Sequence, residues 1–189
     1  MASGSSSMAP HIALREVAAS FELCPISLSR REQRDPAYLA INPEGKVPTL
    51  LVDGRPLTEV AGILFYLARR FPAAGLLPAG EVEAEAQVVS WMSSLATTVH
   101  PARRQGLDHA RRVWAVVERR LDGREWTVGD RPSVADIHLF RLFWRLRRSA
   151  DLAPGEFPGL TDHHDRMMAR PSVIETIAAE EAIGYELPA

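Results

Sequence analysis

Apolar residues in this chain change their period once, in a proline- and glycine-rich stretch between Pro72 and Gly80. Before it, short apolar runs lie between turn residues; after it, apolar residues recur at helical spacing and strand signals cease. With 189 residues the chain is long enough for two small cores. The pattern predicts a mixed α/β domain over residues 1–73 followed by an all-α domain over 81–189.

In the first part, Met8, Ala9, Ile12, Ala13 and Val17 share one helical face, with Pro10 near the start where its missing N–H does no harm. A helix is expected from Met8 to Ala19. Phe21 to Leu28 reads as an edge strand, because Pro25 inside it cannot donate to a ladder. The turn cluster Asn42-Pro43-Glu44-Gly45 leads into a strand at 47–52. Asp53-Gly54 then forms a hairpin turn into a strand at 55–58. Val60, Ile63, Leu64 and Leu67 trace the next helix.

The second part carries helical faces at Val88, Trp91, Met92, Leu95 and Val99, and at Leu107, Ala110, Trp114, Val117 and Leu121. A third helix opens at Ser133-Val134-Ala135-Asp136, spaced as a capping box with Asp in place of Glu. It is apolar nearly all round, as a central buried helix must be. Two more helices, at 158–169 and 171–179, each open on a proline. The aromatic residues of 126–144 read as core and as one wall of an apolar pocket.

Composition narrows the function. Asp and Glu (24) outnumber Lys and Arg (22), and the arginine pairs are spread along the chain, so no basic surface for nucleic acid stands out. No apolar run approaches the ~18 residues of a membrane helix. A single cysteine excludes an internal disulfide and fits a reducing compartment, the cytoplasm. Cys24, on the expected edge strand, reads as a small buried apolar residue. His163-His164 is not expected to hold a metal, since adjacent side chains on a helix diverge.

Four segments, residues 7–16, 42–50, 57–68 and Ser133-Val134-Ala135-Asp136, stand in the order and spacing of bacterial glutathione transferases. The chain resembles that family over essentially its whole length, most of all its beta class. The resemblance implies a thioredoxin-like N-terminal domain, a helical-bundle C-terminal domain, a homodimer, and glutathione as co-substrate beside a hydrophobic electrophile. Residue by residue, it implies that Val47, before a cis Pro48, presents its backbone to the cysteinyl part of glutathione as an added strand does. It implies that Glu59 meets the ligand's α-amino group, with the amide of Val60 beside it; the family's usual hydroxyl after the Glu is replaced here by Val60. Ser6 stands where beta-class enzymes carry cysteine, and would donate to the glutathione thiolate, with Ser5 and Ser7 as neighbours that could serve instead. His100 matches a histidine that faces the glutathione site, followed by Pro101 where a lysine is usual. Arg30 or Arg31 would reach the glycine carboxylate.

The family begins with a strand of about five residues inside the sheet, whereas Met1 to Gly4 have no strand character. Unpaired buried backbone groups would cost about 1–3 kcal/mol each. Three accounts stand side by side: a start lying upstream, a segment trimmed or replaced, and a domain rearranged with loss of activity. The function expected is therefore activation of the glutathione thiol for attack on an electrophile. Its alternatives are a binding or regulatory protein without catalysis, and a glutathione-dependent isomerase or dehalogenase.

Overall fold

The computed structural model describes residues 1–78 and 80–185, and its contacts divide the chain into two units. One comprises Met1–Arg70 with the stretch from Pro171 onward; the other comprises Phe71–Arg170. The last helix thus belongs with the first unit, although succession along the chain had grouped it with the helices before it. Residues 186–189 of that expected domain lie outside the described residues.

In the first unit, α1 (Met8–Glu16) buries Met8, Ala9, Ile12 and Ala13. A 3-10 turn at Glu32–Arg34 precedes the short α2 (Pro36–Leu39). Strands β1 (Thr49–Val52) and β2 (Arg55–Thr58) pair antiparallel, Thr49 opposite Thr58 and Val52 opposite Arg55. The hairpin is the one expected from Asp53-Gly54: both residues have positive φ, 50° and 77°, as a type I′ turn requires. The α3 helix (Val60–Arg70) packs on α1 and β2. It buries Ile63, Leu64 and Leu67, side chains whose removal from water stabilises by about 1.5–3 kcal/mol each.

Phe21 to Leu28 does not form the expected strand. The segment is extended, but its ladder contacts are confined to Met1, whose ammonium donates to the Cys24 carbonyl (2.5 Å) and whose carbonyl accepts from Ile26 N–H (2.8 Å). Beside it lies a cleft of about 340 Å³, lined by Cys24, Ile26, Tyr38, Ile41, Thr49 and Leu51 among others. A strand needs a partner to become one, and here a cleft stands in that place. For the same reason Cys24 is exposed, not buried as expected.

The helix α9 (Pro171–Ile183) completes this unit by packing on α1. Ser172 Oγ donates to Glu16 Oε1 (2.5 Å), Arg15 pairs with Glu175 (2.8 Å), and His11 Nδ1 lies 3.1 Å from Glu180 Oε1. The two helices therefore run antiparallel, with Glu180 near the start of α1.

The second unit is helical throughout: α4 (Val82–Ser94), continued by a wider π turn at Leu95–Val99, then α5 (His100–Ala102), α6 (Leu107–Leu121), α7 (Val134–Ser149) and α8 (Pro158–Met168). As its all-round apolar sequence demands, α7 is buried from Val134 to Trp144. Phe140, Phe143, Leu121 and Leu160 are fully buried. Trp126, Phe140, Phe143 and Trp144 are core residues of this unit.

The capping box forms with Asp in the Glu position. The Ser133 side chain accepts from Ala135 N–H (3.2 Å), and Asp136 accepts from Ser133 N–H (2.8 Å). Asp136 reaches further than its own cap. It also accepts from Thr127 N–H (2.8 Å), Thr127 Oγ1 (2.9 Å), Ser133 Oγ (2.8 Å) and the buried His163 Nε2 (3.0 Å). His163 is committed to this carboxylate, and among the described residues no group of three His, Cys, Asp or Glu is placed to hold a metal.

Candidate functional site

Ser6, Val47, Pro48, Glu59, Val60 and Arg31 all belong to the first unit, while His100 belongs to the second. Within the first unit Ser6 lies just before α1, Val47-Pro48 just before β1, and Glu59 just before α3. Since α1 packs on α3, α3 on β2, and β2 pairs with β1, one packed framework carries all three.

The loop before α1 sorts its serines by use. Ser5 Oγ donates to the Ala2 carbonyl (2.6 Å) and accepts from Ser7 N–H (3.1 Å). Ser7 Oγ accepts from Ala2 N–H (3.2 Å). Both are buried. Ser6 is half-buried, and among the described residues its hydroxyl makes no hydrogen bond. It is thus the serine left to donate to something outside the fold. The sequence left Ser5, Ser6 and Ser7 open, and their hydrogen bonds separate them.

The Val47–Pro48 peptide is cis, as the resemblance implied. The carbonyl before it is tied down: Tyr38 Oη donates to Lys46 O (2.6 Å) and Asn42 Nδ2 to the same oxygen (2.9 Å). Asn42, buried, also accepts from Glu44 N–H through its side chain (3.1 Å), so the Asn-Pro turn is braced from within. Gly45 has φ +59°, and a Cβ there would lie 2.8 Å from the Gln33 carbonyl oxygen, so only glycine fits. Val47 itself is half-exposed over the buried Pro48. Lys46, at the surface, pairs with Glu44 (2.7 Å).

Glu59 is exposed and has φ +62°, a left-handed conformation that costs a non-glycine residue about 1–2 kcal/mol. Such outliers gather at ligand sites. Its backbone aims the chain into α3, where Val60 turns its side chain into the core and can offer a ligand only its N–H. Arg31 is exposed and left-handed (φ +60°), while its neighbour Arg30 pairs with Glu32 (2.8 Å).

His100 follows the π turn at 95–99. Desolvation of its ring, then the charges of Arg141 and Arg104, hold its pKa down to about 4. The buried His138 has both ring nitrogens without a partner among the described residues, and desolvation with Arg141 and His100 holds it at about 3. Both are neutral at pH 7. Their unfolded pKa is about 6.5. The unfolded chain therefore takes up protons that the folded one refuses, so stability is complete above pH 6.5 and falls as pH drops towards 4 and 3. The urea midpoint should fall across that range, and His138→Leu should flatten the fall. A slope that His138→Leu leaves unchanged would clear this residue of the effect.

Sequence reasoning missed one residue. Glu180 on α9 is fully buried, accepts from Gly4 N–H at 2.6 Å and pairs with His11. Only the fold brings residues so far apart in the chain together.

Two family models divide the chain between them: the glutathione S-transferase N-terminal domain matches residues 1–69, and the C-terminal domain matches residues 73–171. The chain belongs to the glutathione S-transferase family. It is 30% identical to the glutathione S-transferase GST-4.5 of Xanthomonas campestris over 94% of this chain and 95% of that protein. It is 31% identical to glutathione S-transferase GstA of Escherichia coli O157:H7, with the same coverage. A sphingomonad glutathione S-transferase solved with glutathione superposes with a TM-score of 0.85 at 32% identity, covering 96% of this chain and 97% of that one. The architecture is that of the transferase family: a thioredoxin-like unit with a small two-stranded sheet, and a helical unit. Among the described residues no helix is long and apolar enough to cross a membrane.

Proposed function

We propose that this glutathione S-transferase binds glutathione on its first unit, lowers the pKa of the glutathione thiol, and joins the thiolate sulfur to an apolar electrophile. The observation that carries this reading is the uncommitted hydroxyl of Ser6 at the start of α1, between two serines already spent inside the loop.

The backbone N–H and C=O of Val47 take the cysteinyl part of the ligand as an added strand would. The Glu59 carboxylate takes its α-amino group, and the Val60 N–H, at the positive end of α3, takes its α-carboxylate. Arg31 is assigned to the glycine carboxylate, and His100, neutral at pH 7, to the site as a hydrogen-bonding group without charge. Ser6 Oγ–H donates to the sulfur, which stabilises the thiolate once its proton has gone to water. The thiolate's electron pair then forms a C–S bond to the electrophilic carbon, and the leaving group departs with its own pair or the charge is quenched by a proton. The active protein is a homodimer in the cytoplasm, and gel filtration at monomer mass would count against the dimer.

Retention on immobilised glutathione followed by a thiol-conjugation assay tests the whole. Retention without turnover of any electrophile would favour the reading as a binding protein. Glu59→Ala should raise the dissociation constant for glutathione about 10–100-fold, the range for losing a hydrogen bond to a charged group. Calorimetric titration measures it, and an unchanged constant would remove Glu59 from the site.

A further inference from the structure

The last helix of the chain reaches the loop on which thiol activation depends. Glu180 accepts from Gly4 N–H at 2.6 Å with one oxygen and faces His11 Nδ1 at 3.1 Å with the other. On the far side of the ring, Arg15 Nε donates to His11 Nε2 at 3.3 Å. Glu180 and His11 are buried, to 0% and 2% exposure. Gly4 stands two residues before Ser6 and His11 lies in the second turn of α1. A single carboxylate thus grips the loop on one side of Ser6 and the helix on the other.

Such an arrangement is costly to keep unless it fixes something. A buried carboxylate is stable only with its hydrogen bonds made, and these partners point at it from two segments that would otherwise be free to move apart. Gly4 has φ +68° and carries no side chain to anchor it, so its amide is the loop's handle. The pairs Glu16–Ser172 and Arg15–Glu175 set the register that delivers Glu180 there.

We propose that Glu180 is a positioning residue for thiol activation, holding the 3–7 loop so that the Ser6 hydroxyl stays aimed at the sulfur. The claim rests on the reading of Ser6 given above. It assigns the C-terminal helix a part in the chemistry of the N-terminal unit, through a residue that touches no substrate.

Two variants of similar size separate positioning from bulk. Glu180→Met removes both acceptors, whereas Glu180→Gln keeps an oxygen for Gly4 N–H. In Glu180→Met the amides of Gly4 to Ser7 should exchange with solvent faster. The pH profile of conjugation should move up by about one unit, about tenfold less thiolate at a fixed pH below the pKa. KM for glutathione should hold, since Val47 and Glu59 are untouched. Glu180→Gln should restore the profile. Ser6→Ala, run in parallel, separates the two claims. A profile that Ser6→Ala shifts and Glu180→Met does not would overturn the positioning role alone. A profile that Ser6→Ala leaves in place would overturn the reading of Ser6 and the positioning role with it. If Glu180→Met is too unstable to assay, the exchange rates and profile of His11→Asn, which keeps Glu180 on Gly4 but weakens its seat, must move in the same direction, and unmoved values would overturn the proposal.

Discussion

Asp136→Ala should destabilise the second unit by about 3–5 kcal/mol, the cost of leaving several buried donors without their acceptor. The carboxylate accepts five hydrogen bonds: two from Thr127, two from Ser133 and one from His163. An ionised carboxylate only accepts, so every one of these groups is left pointing at a methyl when it is gone. Asp136 itself is 0% exposed, and water does not reach the gap. Ser133→Ala, by contrast, loses the side-chain cap of α7 and should cost about 1 kcal/mol. Asp136→Asn should fall between the two, because one oxygen remains while the new amide faces donors. At about 2–4 °C per kcal/mol for a chain of this size, the alanine variant should melt roughly 10 °C lower. A loss below 1 kcal/mol would mean that Thr127 and His163 find other partners, and the carboxylate is not the organiser of the turn into α7.

Ser6→Ala should lower kcat/KM near neutral pH by about 10²-fold, the scale of removing one donor from a developing or settled anion in an enclosed site. The loss should be a displacement of the pH profile. An unassisted thiol ionises near 8.5. Without the hydroxyl, conjugation should reach its plateau only at higher pH, and assays well above that range should narrow the gap between the two proteins. Ser5→Ala and Ser7→Ala are the controls. Their hydroxyls are engaged within the loop, so they should lower stability more than they move the profile. If Ser7→Ala moved the profile and Ser6→Ala did not, the roles of the two serines would have to be exchanged.

Much of this was legible because it is local. The Asp-Gly hairpin, the capping box of α7 and the helical faces of the second unit depend on residues within a few positions of one another, and each formed where its pattern stood. The segment 21–28 failed for a physical reason: β-propensity describes fitness for a neighbour and does not supply one. The exposure of Cys24 follows from the same gap. The grip of Glu180 on Gly4 and the neutral state of His100 were out of reach for another reason. One needs α9 folded back on α1; the other needs Arg141 brought near a histidine 41 positions earlier. Neither leaves a periodic trace.

The surface has one more property with practical weight. Lys46 is the sole lysine, and its neighbour is the valine assigned to the glutathione backbone. The other primary amine, at Met1, is engaged with the Cys24 carbonyl. Succinimidyl dyes and aldehyde-activated supports will therefore couple chiefly at Lys46. A protein attached that way has its ligand-binding rim pressed to the matrix, whereas attachment through the Cys24 thiol leaves it open to solution.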